Sequence, residues 1–291
     1  MKMLNLVVLS FCLLPVACAS LGGGDKNKTS DLTITQTSHV EFTPVVAESF
    51  IGMSNYKFVG GSSQVEFVNC KIPSPKATII AVHSDRAGFE VSKFCEGWIA
   101  QSFLSQGFDV IAVNRPGYGN SKGSPDFGGA QSIEALENGV KAAVKIAQNP
   151  HKPSGIFGFS TGVASAAFLS KKMPELKFLI LGSGVYDYEA ALADTKDSYL
   201  KKDLNKIKDT GGNKAIEDRS IAYDVGGLPK TIIIYHGKQD TAVSPEQAKA
   251  FSDSLESSEY KVTFQLLEGV NQDIPWMHHR QILEVIGRSL H

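Results

Sequence analysis

From residue 65 onward, short apolar runs alternate with stretches of helical periodicity. Residues 78–82, 110–113, 178–181 and 231–235 are nearly continuous apolar runs, the pattern of strands buried on both faces. Residues 65–68, 156–157 and 262–267 read as three further strands. Between them, a helix is predicted over about 90–106, with Phe94, Trp98 and Phe103 near one face. Ile133, Leu136, Val140, Ala143, Val144 and Ala147 recur at helical spacing until Asn149-Pro150 stops them. Helices are also predicted over 161–172, after Ser244 and over 282–290. Ser244 is a good N-cap, Pro245 suits the first helical position, and Gln247 completes a capping box. Repeated β-α-β units of this kind predict an α/β fold, a mostly parallel central sheet flanked by helices.

Residues 184–228 break the rhythm with mixed charges, Gly211-Gly212 and no buried-strand pattern. They are expected to form a small helical lid over the C-terminal edge of the sheet, where open α/β sheets bind ligands.

The first residues read as an address. Lys2 precedes an apolar stretch, 4–14, interrupted only by Asn5 and Ser10. It is too short to span a membrane and long enough for a signal-peptide core. Pro15-Val16-Ala17-Cys18-Ala19-Ser20 then resembles a bacterial lipobox, in which Cys18 is the lipidated first residue of the mature chain; Pro15 stands where that motif usually has leucine. The other reading is cleavage after Ala17-Cys18-Ala19, a small-x-small site. Either way the chain is expected on the periplasmic side of a bacterial envelope, lipid-anchored in the first case and soluble or secreted in the second. The expected organisation is a signal peptide over 1–17, a flexible tether over 18–39 built on Gly22-Gly23-Gly24 and a polar run, and a folded domain over 40–291. Cys12 and Cys18 belong to the address, so the domain holds one cysteine pair, Cys70 and Cys95. Bridge and free thiols stay open, because sequence does not set their separation.

Composition narrows the function. Hydrophobic residues are 42% and charged residues 20%, enough for a core and against wholesale disorder. A net charge of −1 argues against a basic nucleic-acid surface, and no zinc-type Cys/His spacing points to a metal.

The chemistry lies in Gly158-Phe159-Ser160-Thr161-Gly162, a G-x-S-x-G pentapeptide with a predicted strand before it and a helix after it. That context is the nucleophile elbow: glycines permit a sharp turn that projects Ser160 Oγ, and the Thr161 N–H at the helix start can stabilise an oxyanion. Two further segments follow buried strands: Asn114-Arg115-Pro116-Gly117-Tyr118-Gly119-Asn120-Ser121 and His236-Gly237-Lys238-Gln239-Asp240-Thr241-Ala242-Val243. With the elbow, they make the chain from about residue 58 onward resemble the α/β-hydrolase superfamily, near its serine-aminopeptidase and monoacylglycerol-lipase-like branch.

The resemblance implies that Asp240 is the triad acid, in the chain order Ser, Asp, His. It implies an oxyanion loop at His83-Ser84-Asp85-Arg86-Ala87-Gly88, with Ser84 or Asp85 N–H as second donor, although the family usually has His-Gly here. A carboxylate at Asp85 opposes a developing oxyanion unless it turns away, for instance to Arg86.

The base is absent where the resemblance expects it. Gln272 stands there, 32 residues after Asp240. Glutamine can hydrogen-bond to both Ser160 and Asp240, yet an amide does not accept the serine proton at neutral pH. Of the seven histidines, His39 is in the tether, His151 lies at the opposite end of the sheet and His291 is the last residue. His83 and His236 lie near the right edge, on strands the family does not use for the base. His278 and His279 reach the site only if their loop folds back over Ser160. The expected function is hydrolysis of an ester or amide by Ser160 on a small-molecule or acyl substrate, with no metal or organic cofactor. It is impaired if Gln272 leaves the triad without a base, and intact if His278 or His279 is a displaced one. The alternative is a non-catalytic envelope binding protein that keeps the pocket.

Overall fold

The computed structural model describes residues 33–40, 52–60, 63–85, 91–147, 153–274, 278–279 and 281–284. Nine strands occur among them: β1 (Thr33–Val40), β2 (Gly52–Gly60), β3 (Ser63–Lys71), β4 (Ala77–Val82), β5 (Phe108–Val113), β6 (Pro153–Phe159), β7 (Phe178–Gly182), β8 (Thr231–Gly237) and β9 (Lys261–Leu267). They form one sheet in the order β1-β2-β3-β5-β4-β6-β7-β8-β9. The first three run antiparallel to their neighbours. The remaining six are parallel.

Every residue of β4 and β5 is buried, as continuous apolar runs in a doubly covered sheet require. Alternation divides the core. Ile80, Ile111, Ile156 and Leu179 face α3 (Ala130–Ala147) and α4 (Gly162–Lys171), while Ile79, Val110, Phe157 and Ile180 face α2 (Trp98–Ser105) and the C-terminal helical residues Ile282 and Leu283. The parallel register pairs Val82 with Gly158, Phe159 with Gly182 and Gly237 with Leu267. The loops after β4, β6, β8 and β9 therefore emerge at one edge, and they carry the candidate residues.

The structure departs from the sequence expectations in three places and decides a fourth point that they left open. The tether was expected to reach residue 39, but Thr33–Val40 is strand β1, paired antiparallel with β2. Its β-branched Thr33, Ile34, Thr35, Thr37 and Val40 favour extended backbone, and an antiparallel edge does not demand the apolar runs that reveal central strands. The helix expected over 90–106 is broken into α1 (Val91–Phe94) and α2. A turn separates them at Gly97, whose N–H bonds the Phe94 carbonyl at 3.0 Å. Ser244 caps α7 (Pro245–Ser257) as expected, but Gln247 does not close a capping box. Its Oε1 turns inward to accept the N–H groups of Tyr186 and Asp187. Finally, Cys70 and Cys95 are bridged, with Cα atoms 5.5 Å apart, which decides between the two cysteine readings.

Residues 184–228 are helical: α5 (Tyr188–Asp194), α6 (Ser198–Glu217) and a 3₁₀ turn at Ile221–Tyr223. Gly212 kinks α6 at φ 66°, a conformation that disfavours any side chain. The expected signal peptide with Cys12 and Cys18, residues 18–32 of the tether, Arg86, His151 and His291 lie outside the described residues. Among the described residues, no helix is long and apolar enough to cross a membrane.

Candidate active site

Ser160 follows the last residue of β6 with φ 54°, in the left-handed region. For a residue with a Cβ this costs roughly 1–2 kcal/mol, and the surroundings hold it there. Its N–H bonds the Gly182 carbonyl at 3.0 Å, and its own carbonyl accepts from Val163 at 3.1 Å and Val185 at 3.3 Å. Both flanking glycines are required by close approach. A Cβ at Gly158 would meet the Gly162 carbonyl at 2.7 Å, and one at Gly162 would meet the carbonyls of Val82 and His83 at 2.7 Å. The pentapeptide thus folds as the elbow that its sequence context suggested.

Asp240 is held after β8 by a lace of backbone bonds between the β8 and β9 loops. Lys238 N–H bonds the Leu267 carbonyl at 3.0 Å and Gln239 N–H bonds that of Val270 at 2.8 Å. Gly237 lets the loops touch, since a Cβ there would lie 2.2 Å from the Asn271 carbonyl. The Asp240 carboxylate accepts the N–H groups of Ala242 at 2.8 Å and Val243 at 3.0 Å. Fully buried His236 adds a contact that sequence reasoning left unassigned: its Nε2 lies 3.1 Å from Asp240 Oδ2 and 3.1 Å from the Val243 carbonyl, so it carries the hydrogen. Its position four residues before Asp240, in the same segment, was the available signal.

The same lace brings Gln272 between Asp240 and Ser160. In the amide orientation its neighbours dictate, Nε2 donates to Asp240 at 3.0 Å (Oδ1) and 2.5 Å (Oδ2), and Oε1 accepts from Ser160 Oγ at 3.2 Å. A continuous chain Ser160–Gln272–Asp240 results, with an amide in its middle.

The loop after β4 is pinned. Asp85 turns its carboxylate to Arg115, at 2.6 Å, and to the Tyr118 hydroxyl, at 2.7 Å. Arg115 is thus its cationic partner among the described residues, outside which Arg86 lies. Arg115 also donates to the His83 carbonyl at 3.2 Å. His83 Nδ1 donates to the Ser84 carbonyl at 2.7 Å, and its Nε2 accepts the Arg115 N–H at 3.3 Å. Burial first, then Arg115, pushes the His83 pKa well below the usual histidine value, so this imidazole is a neutral loop brace. Burial, and then the Asp85 carboxylate, keeps Tyr118 protonated. Asp85 N–H, one of the two expected loop donors, is given to Thr161 Oγ1 at 2.7 Å. The lid reaches the same corner, with Tyr188 Oη 3.5 Å from the Thr161 carbonyl. Half-buried Asp203 of α6 has its pKa raised by burial and then by Asp85.

His279 is elsewhere. Its Nδ1 pairs with the Tyr235 hydroxyl at 2.9 Å, and its ring lies 4.1 Å from that of Trp98 and 6.2 Å from that of Phe159. The displaced-base reading of His279 is therefore not what the geometry favours: Ser160 Oγ faces Gln272, and this imidazole faces Tyr235. His278 stands beside it, half-buried. Burial, and then His278, lowers the His279 pKa to about 3. Between that value and the unfolded value near 6.5 the unfolded chain binds the extra proton, so stability is complete above about pH 6.5 and falls on acidification toward pH 3. The expected slope from this histidine is about 1 kcal/mol per pH unit between pH 6 and 5. Urea unfolding across that window should show it, and His279→Gln should flatten it; an unchanged slope in the variant would assign the effect to other groups.

Among the described residues, no group of three or more His, Cys, Asp or Glu side chains is placed to hold a metal ion. What the site offers is a projected hydroxyl, an amide that bonds it, and a buried carboxylate behind the amide.

Residues 73–210 match the family model described as serine aminopeptidase, S33. That span covers the elbow and the loop after β4 and ends before Asp240 and Gln272. No curated protein matches the chain significantly. Among solved structures, a puromycin-hydrolyzing peptidase of Mycobacterium tuberculosis superposes with a TM-score of 0.62 at 17% identity, covering 77% of this chain and 36% of that one. The acylaminoacyl peptidase of Pyrococcus horikoshii gives 0.68 at 13% identity, covering 84% and 42%. Acetyl xylan esterase 1 of Thermoanaerobacterium sp. JW/SL YS485 gives 0.63 at 12% identity, covering 89% and 88%. This chain thus spans less than half the length of the two peptidases and nearly all of the esterase. These likenesses show the α/β-hydrolase fold, shared with peptidases and esterases.

Proposed function

We propose that this α/β-hydrolase-fold chain is an ester- or amide-directed serine hydrolase site arrested at its general base. The observation that carries the reading is the Ser160–Gln272–Asp240 chain, in which an amide fills the place of an imidazole. Ser160 Oγ would be the nucleophile, the Thr161 N–H a donor to the carbonyl oxygen, and Asp240 the carboxylate that orients whatever bonds the serine. Gln272 Oε1 accepts the serine hydrogen bond without taking its proton, because a protonated amide is far too acidic. Such a site binds an acyl compound and turns it over slowly. The test is Gln272→His, which supplies the missing proton acceptor; its expected size is argued in the Discussion.

The N-terminal address belongs to the same proposal. Lys2, the apolar stretch 4–14 and Cys18 support export and lipidation, and a bridged Cys70–Cys95 pair suits an oxidising compartment. With its ends 25 positions apart in sequence, the bridge is worth about 3 kcal/mol by chain entropy. Expressed with its N-terminus in a bacterium, the protein should partition into detergent, and Cys18→Ser should return it to the aqueous phase. Cys70 and Cys95 should react with a thiol reagent only after reduction, even in the unfolded protein. Unchanged partitioning of the variant would reject the anchor, and two thiols without reductant would reject the bridge.

A further inference from the structure

Thr161 sits at the start of α4, yet its hydroxyl does not cap that helix. It reaches across to the loop after β4 and accepts the Asp85 N–H at 2.7 Å. An N–H has one hydrogen, and here it is aimed at the threonine hydroxyl and not at the place of a ligand oxygen. Nor is the loop free to rotate the amide away. The Asp85 side chain is clamped by Arg115 and Tyr118, and Arg115 holds the His83 carbonyl as well. Thr161 is itself buried, at 7% exposure, so water does not compete readily for its hydroxyl.

The geometry points to Thr161 as an internal plug of the oxyanion site: its hydroxyl takes the loop hydrogen that would complete a two-donor cradle. The inference rests on the reading of the Ser160 site as an acyl-oxygen site, and it names the ligand class more closely. With the Asp85 N–H spent, the Thr161 N–H is the donor that the elbow itself supplies, and it serves a neutral ester or amide carbonyl. A tetrahedral anion, which needs convergent donors, is poorly held. The chain then lacks two separate things, a proton acceptor at Gln272 and a second donor at Asp85, and both favour holding the ground state over turning it over. Thr161 acts here through the Asp85 amide and is a positioning residue.

Phenylboronic acid tests this, because it forms a tetrahedral anion on a serine at equilibrium and needs no turnover. In Thr161→Val the freed Asp85 N–H should tighten its binding about 10- to 100-fold, the value of one hydrogen bond to a charged group. Thr161→Ser keeps the hydroxyl and should match the wild type. Ser160→Ala should abolish the tetrahedral boron signal. Equal affinity in Thr161→Val overturns the inference, and weaker affinity also does, since it would make the hydroxyl itself the donor. Hydrogen exchange of the Asp85 amide in the wild type gives a second reading that needs no variant: protection is expected, and exchange at the rate of an open loop overturns the plug. The outcomes separate from those of the base. If Gln272→His hydrolyses esters while Thr161→Val binds boronate no better, the plug alone falls. If boronate tightens while Gln272→His stays inert, the reading of the base falls.

Discussion

Gln272→His is expected to raise hydrolysis of a short p-nitrophenyl ester by about 10³- to 10⁴-fold. Loss of the histidine from a complete serine triad costs on the order of 10⁶ in turnover, so its return has that much to restore. The estimate is lower because groups that act as a unit contribute non-additively, and the Asp85 N–H that would work with the base is spent on Thr161 in wild type and variant alike. Geometry favours the exchange. Gln272 already bonds Asp240 on one side and Ser160 on the other, so an imidazole in its place meets a carboxylate and a hydroxyl in the required order. The gain should appear in kcat, because the base acts only when the proton moves. It should vanish in the Gln272→His, Ser160→Ala double variant, and Asp240→Asn in the Gln272→His background should remove most of it. A wild type already active, with activity lost on His279→Ala, would return the base to the displaced histidine. A folded but inert Gln272→His would replace the arrested-hydrolase reading by that of a binding protein.

Arg115→Met is expected to destabilise the fold by about 3–5 kcal/mol in urea titration. Arg115 is fully buried and stands 2.6 Å from a nearly buried Asp85 carboxylate. Removing the guanidinium leaves that charge in low dielectric with the Tyr118 hydroxyl as its remaining side-chain partner among the described residues, and such an uncompensated charge is the costly case. The matched control is Asp85→Asn in the same background, which removes the stranded charge and should recover a large part of the loss. A loss below about 1 kcal/mol would mean that the pair behaves as a surface salt bridge and does not brace the loop. The effect also touches the site, since Arg115 fixes the His83 carbonyl and so the backbone that presents Asp85 N–H.

How much of this was legible beforehand differs by residue. The buried strands were, because parallel strands covered on both faces must be apolar throughout, and β4 and β5 are. The elbow was, because a glycine-flanked serine between a strand and a helix has few other folds. Strand β1 was not, since a polar edge strand lacks the continuous apolar signature, and the turn at Gly97 interrupts a helix whose apolar spacing runs straight through it. The capping box failed for a tertiary reason: Gln247 satisfies the buried N–H of Tyr186 and the part-buried N–H of Asp187, and these outweigh a bond at its own helix end.

By itself the sequence determined the α/β alternation, the placing of Ser160 and Asp240 on strand ends, and the presence of an amide at position 272, because these depend on local periodicity and on residue identity. Tertiary structure alone decided which groups meet. It paired Cys70 with Cys95, gave the Asp85 carboxylate to Arg115 and its N–H to Thr161, and set His236 behind Asp240. It also turned His279 to Tyr235 and Gln272 to Ser160. The physical reason is that a hydrogen bond is made or lost within a few tenths of an ångström, and partners as far apart in sequence as Asp85 and Thr161 are brought to that distance only by the path of the loops, on which periodicity is silent.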